Sequence, residues 1–224
     1  TSVALTLRSV CGLKTEEVAD AFLDGHDAMA QRLVRARHKI TRAGIAYEVP
    51  GPENWADRLE AVLAVIYLMF NEGYASGGAA HIRIDLCEEA LRLGRLLTAL
   101  RPGEAEAEGL LALMLLHHAR RDARLGEDGA VVSLEEQDRR LWNSAEIAEG
   151  TTILDRALHR GRPGAYQLQA AIIALHAEAP SFNETNWREI ALIYGALIGM
   201  ADNPVYELNR IVAISYAEGA ERAL

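Results

Sequence analysis

Only two cysteines, Cys11 and Cys87, occur in the 224 residues, too few for a disulfide-stapled secreted scaffold. Both sit in apolar helical patterns, so we read them as buried free thiols and expect a cytoplasmic protein. Aromatic residues make up 6% of the chain, the 18 glycines and six prolines are scattered and no low-complexity tract occurs, which argues against wholesale disorder. Long hydrophobic runs are missing too. The longest, Ala61 to Phe70, falls well short of the roughly 20 residues a membrane span needs, so no membrane partner is expected. Equally missing are an HExxH pair, a glycine-rich phosphate loop and a nucleophile with a base at recognisable spacing. Catalysis has no support in the sequence, and no cofactor or metal is expected.

What is present is alanine, leucine and helical periodicity. Half of the residues are apolar, enough to bury a core in one large domain or two, and the composition suits close-packed helices. The stripe that starts at Val3 and the pattern still running from Ala220 to Leu224 lead us to expect a piece of a longer protein.

Net charge is −9, but its distribution matters more than its total. Between Ala28 and Arg42 there are five cations and no acid, whereas from Glu53 onward 16 cations face 26 acids. A basic segment on an acidic body reads as a localised anion-binding element.

Three short helices fit residues 3–42. The first, Val3 to Cys11, ends at Gly12. The second starts at Thr15 as N-cap, with Glu16 and Glu17 in its first turn and Val18, Ala19 and Phe22 buried. After the turn Leu23-Asp24-Gly25-His26, Asp27 is placed to cap a third helix that Gly44 ends. There Met29, Leu33, Ala36 and Ile40 form an apolar stripe, and Arg32, Arg35, Lys39 and Arg42 a basic one, with Ala28 and Gln31 near the basic face.

A helix, a tight turn and a basic amphipathic helix form a helix-turn-helix pattern, whose second helix enters the DNA major groove. Arg32 and Arg35 suit guanine edges or phosphates and Gln31 an adenine or a phosphate, while Lys39 and Arg42 suit the backbone. Equally, the stripe is what an ordinary solvated helix face looks like.

Residues 45–52, with Pro50, Gly51 and Pro52, form a linker. Its alternating Ile45, Tyr47 and Val49 predict that it docks on a neighbour. From 53 to 224, helical patterns recur near 53–72, 80–100, 104–124, 144–160, 165–178, 186–200 and 204–218, which predicts helix pairs stacked as a tetratricopeptide-like repeat. The first of these is apolar nearly all round and should be deeply buried. Gly126 to Gly129 followed by Ala130 to Ser133 predicts a tight turn with a short extended piece in an inserted loop. Asn71, Glu72, His117, Asp138, Arg139, His176 and Glu178 are candidates to line a polar pocket, against the plainer reading that they satisfy helix ends and fix that loop.

The stretches Gly12-Leu-Lys-Thr-Glu-Glu-Val-Ala19 and Ala28-Met-Ala-Gln-Arg-Leu-Val-Arg-Ala-Arg37 resemble region four of extracytoplasmic-function sigma factors. The run Arg58 to Tyr74, Gln137-Asp-Arg139 with Trp142, Ile147 to Gly150, Tyr166 to Ala171 and His176 to Pro180 resemble a subgroup whose C-terminal extension is a tetratricopeptide-like helical domain. The resemblance implies an all-α protein with a helix-turn-helix domain at 1–44 and a helical-repeat domain at 53–224. It further implies promoter DNA (the −35 element) and core RNA polymerase as partners, and a regulatory protein on the repeat domain. Asp24-Gly25-His26 departs from the family's turn, and the region that melts the −10 element is missing from this stretch. Two other readings remain: a helical-repeat adaptor whose N-terminal helices are a cap, and a ligand-sensing helix-turn-helix regulator.

Overall fold

Glycine marks the ends of the first and third of the helices that position the candidate interface. In the computed structural model, which describes residues 2–44, 54–75, 83–127, 129–219 and 221, α1 (Ser2–Ser9) is followed by Gly12 at φ 75°. Helix α2 (Thr15–Ala21) then runs into Leu23, which has φ 51° and is 97% exposed. Helix α3 (His26–Ala43) ends on Gly44 at φ 57°. The expected docked linker at 45–52 lies outside the described residues, as does the new pattern expected at Ala220–Leu224 apart from residue 221.

The remaining helices are α4 (Trp55–Ala75), α5 (Ile84–Leu100), α6 (Ala105–His118), α7 (Ser144–Leu158), α8 (Ala165–Glu178), α9 (Trp187–Met200) and α10 (Pro204–Glu218). The protein is all-α. Among the described residues no helix is long and apolar enough to cross a membrane, and the extended piece expected near 130 is a single antiparallel bridge, Leu125 with Val131. It closes on hydrogen bonds from Gly126 N to Ala130 O at 2.9 Å and from Val132 N to Arg124 O at 2.8 Å.

Two compact units divide the chain, Thr1–Leu93 and Gly94–Leu224. In the first, α4 packs on α1 and α2, so the apolar helix after the linker groups with the N-terminal helices. Its Leu63, Ile66, Met69 and Phe70 are buried, but Val62 is 43% exposed, so α4 is not buried on all sides as expected. That place belongs to α6 in the second unit. Every residue from Ala107 to Leu116 is buried, because α7 and α8 both pack against α6 and Gly94 of α5 lies against its Met114 and Leu111. Helices α8, α9 and α10 continue the stack around Leu168, Ile172, Ile190, Leu197 and Ala213.

Asparagine starts three of these helices. Asn143, Asn186 and Asn203 each accept from backbone N–H groups in the first turn of α7, α9 and α10, the groups a helix cannot satisfy internally. The caps expected at Thr15 and Asp27 differ. Lys14 takes the cap position of α2, its N–H donating to Glu17 Oε2 at 2.6 Å, which leaves Thr15 inside the helix. Gly25 takes that of α3, with no side-chain cap.

Candidate nucleic-acid interface and buried polar cluster

Helix α3 is anchored through Met29 and Leu33, which are 0% and 4% exposed. The predicted apolar stripe fades beyond them: Ala36 is half-buried and Ile40 is 40% exposed. Phe22, expected in the core, is likewise only half-buried.

On the other side of α3, Ala28, Gln31, Arg35, Lys39 and Arg42 are exposed. At 1.5 Å per residue the line from Gln31 to Arg42 extends about 16 Å. Arg35, Lys39 and Arg42 share an open concavity with His38 and Ala43. Arg32 is different. Its Nη1 lies 3.2 Å from Asp24 Oδ2, which ties the guanidinium back to the turn. Asp24 also accepts from Gly25 N at 2.9 Å, and His26 meets Asp20 at 2.9 Å, so the turn carries its own acid partners. The hydrogen bond to Asp20 holds the His26 imidazole above its ordinary value. Arg37 turns toward α1, donating to Ser9 Oγ at 3.4 Å.

The candidate polar pocket assembles in part, within the second unit. Arg139 Nη1 donates to the carbonyls of His176 at 2.7 Å and Ala179 at 2.9 Å, closing the C-terminus of α8. Its guanidinium lies 4.4 Å from the centroid of the Trp142 ring, and that of Arg120, a residue 6% exposed, lies 5.8 Å from the same ring. Arg120 also meets His117 Nδ1 at 3.1 Å. Burial, then the charges of Arg120 and Arg139, pushes His176 down to about 4. Burial, then Arg120, Arg124 and His176, holds His117 well below its ordinary value. Both imidazoles are therefore neutral at pH 7. Burial, then Arg120, also lowers Arg139.

Asp138 borders this cluster but is committed elsewhere. Its carboxylate accepts from Arg140 at 2.7 Å and caps the turn at Arg139–Leu141, which lowers it to about 2. Glu178 is raised by burial and then by Asp155 and Glu189. Glu72 belongs to the first unit, where burial raises it first, then Glu17, with Arg83 opposing. Sequence reasoning missed Arg120 and Trp142 as members of the pocket. The signal for Arg120 was its place three residues after His117, on one helical face.

Other polar contacts fix the inserted loop. His118 Nδ1 lies 3.0 Å from Glu146 Oε2, which also pairs with Arg121 at 3.0 Å. Among the described residues no group of three or more His, Cys, Asp or Glu side chains is placed to hold a metal ion.

Residues 58–158 match a family described as a family of unknown function, DUF6596. An uncharacterized protein of Rhizobium meliloti (strain 1021) is 50% identical over 223 residues, covering 99% of this chain and 53% of that protein. The chain thus spans about half the length of the curated relative it matches. No solved structure matches.

Proposed function

We propose that this chain is the promoter-reading and C-terminal part of an alternative sigma factor, with promoter DNA and core RNA polymerase as its partners. The observation that carries this reading is the exposed line Gln31, Arg35, Lys39 and Arg42 on a helix whose opposite face is seated by Met29 and Leu33. A short turn and a preceding helix complete the helix-turn-helix arrangement, in which such a face meets base edges at its start and phosphates further along. The resemblance of residues 12–37 to region four supplies the family, and the acidic remainder of the chain suits a body that does not itself hold nucleic acid.

Selection from a randomised duplex pool tests the reading. The chain should enrich a short motif, and Gln31→Ala/Arg35→Ala should weaken binding to it by about 1–3 kcal/mol per lost base contact. Lys39→Ala should weaken all sequences alike and reduce the salt slope. No enrichment, with wild type and double variant binding equally, rejects it.

A second reading, a helical-repeat adaptor, is favoured by the last helix pair. Val205, Leu208, Ile211 and Val212 of α10 and Leu192 of α9 are 42% to 75% exposed. Exposed apolar side chains gathered on one helix pair suit a protein partner. In the sigma-factor reading the same surface takes the regulatory protein. Binding of purified core RNA polymerase that needs residues 2–44 favours the first reading over the second.

A further inference from the structure

A buried polar nitrogen without a partner is costly, on the order of 1–3 kcal/mol, and the second unit holds two such N–H donors and one such imidazole nitrogen on residues that meet where the inserted loop packs on α8. Arg139 Nη2, Trp142 Nε1 and His176 Nδ1 are all buried and have no hydrogen-bond partner. Trp142 and His176 are 8% and 6% exposed. Arg139 forms no ion pair among the described residues; both of its side-chain bonds go to the carbonyls of His176 and Ala179. The neighbouring carboxylate, Asp138, is taken by Arg140.

The charges that act on His176 have one sign. Arg120 and Arg139 both bear on His176, and Arg120 also bears on Arg139. Both guanidiniums lie on the Trp142 ring, at 5.8 and 4.4 Å. A neutral imidazole carries one N–H, and on His176 it can reside at Nδ1. Donors alone, beside two guanidiniums, lack a group that accepts several hydrogen bonds and carries negative charge. Water answers only the first need.

We propose that Arg139, Trp142 and His176 form a receptor for a small oxyanion, a carboxylate or a phosphate, with Arg120 supplying further positive potential. The guanidinium edge offers the planar geometry that oxyanions fit, and the ring beneath holds it in place. Arg139 and Trp142 belong to the irregular stretch between the Leu125–Val131 bridge and α7, whereas His176 stands on α8. The anion enters by displacement of this stretch, which Arg139 already joins to α8 through the His176 and Ala179 carbonyls, and on binding adds a further link to α8. Such a site makes the helical extension a sensor of a small acidic ligand, independently of whether α3 reads DNA.

The test follows the indole N–H signal of Trp142 by nuclear magnetic resonance in the whole chain, with Trp55 of the first unit as internal control. Sodium phosphate and sodium acetate are titrated separately against sodium chloride at matched ionic strength. A saturable shift of the Trp142 signal with phosphate, acetate or both, and none with chloride, supports the receptor and identifies the ligand class. Arg139→Lys keeps the charge but loses the fork, and should weaken the anion about tenfold or more. Trp142→Phe keeps the ring and removes the donor. In that variant the rise in melting temperature that the anion gives the wild type should shrink, a readout that survives if Arg139→Lys fails to fold. No saturable shift with either anion, a shift that chloride reproduces, or equal affinity in both variants overturns the proposal and leaves ordered water on these donors.

Discussion

Glu106 of α6 accepts hydrogen bonds from Gln167 of α8 twice, from the backbone N–H at 3.2 Å and from the side-chain amide at 3.0 Å. It also accepts from Tyr166 N–H at 3.0 Å, so one carboxylate serves as the cap that α8 lacks locally. Those N–H groups have no intrahelical acceptor, and a negative charge beside them is favourable. Glu106→Ala should lower unfolding free energy by about 2–3 kcal/mol, because donors in a helix contact lose a charged partner. Glu106→Gln should cost about 1 kcal/mol, the charge alone. Urea denaturation followed by circular dichroism measures both, and equal losses in the two variants would show that charge is the whole effect.

The same contact makes Gly109 irreplaceable. A Cβ there would meet Gln167 N at 2.8 Å and its Cα at 3.0 Å, atoms of a helix backbone that cannot rotate away. Alanine is the better helix former by about 1 kcal/mol, but forced separation of two packed helices costs about 1–3 kcal/mol or more. Gly109→Ala should therefore lower the melting temperature. A rise would mean that α6 and α8 can move apart freely.

Most helices among the described residues were legible in the sequence because period 3.6 in Leu, Ile and Ala survives any tertiary arrangement, although the pattern read at 104–124 ends as a helix at His118. Ser144–Leu158, Ala165–Glu178 and Pro204–Glu218 lie within two residues of the pattern, helped by Asn143, Gly164 and Pro204 at their starts. Which helix is central was not legible. The apolar run of α4 and that of α6 look alike in sequence, and only the packing of α7 and α8 on α6 decides between them. Local competition hid the cap of α2, where Glu17 reaches back to Lys14 N instead of Thr15 serving as the cap. His117, Arg139 and His176 could be picked out as polar residues in apolar surroundings. That Asp138 faces Arg140, and that Arg120 and Trp142 take part, depends on how the inserted loop folds back.

Stability should depend on pH through the buried histidines. His176 is pushed down to about 4 and His117 is lowered as well, both by burial first, whereas in the unfolded chain each titrates near the ordinary value of about 6.5. Between those values the unfolded state binds more protons, so stability rises with pH there. The contribution of neutral His176 is fully present above about pH 6.5 and declines as pH falls toward about 4, with a limiting slope of about 1.4 kcal/mol per pH unit. His176→Gln should flatten the slope between pH 6.5 and 5, in a buffer without phosphate or carboxylate. An unchanged slope would show that His176 is protonated in the folded protein.

Asp24 should act as a brake on nucleic-acid binding. Its carboxylate lies 3.2 Å from Arg32 and adds a negative charge before the start of α3, the helix that carries the exposed Gln31 and Arg35. Replacement of Asp24 by Asn keeps the size and the hydrogen bond to Gly25 N while it frees Arg32 and removes the charge. A partly exposed ion pair is worth at most about 1 kcal/mol to the fold, so the variant should remain folded. Its affinity for DNA should rise several-fold, with a steeper salt dependence, because one more cation becomes available to phosphate. Arg32→Ala in the wild-type background should then cost less than Arg35→Ala, since Arg32 must first leave Asp24, and Arg32→Ala in the Asp24→Asn background should cost more. Fluorescence anisotropy with the motif recovered by selection, at several salt concentrations, gives all four values. Additive effects of the two substitutions would show that Arg32 and Asp24 do not act through each other at the DNA.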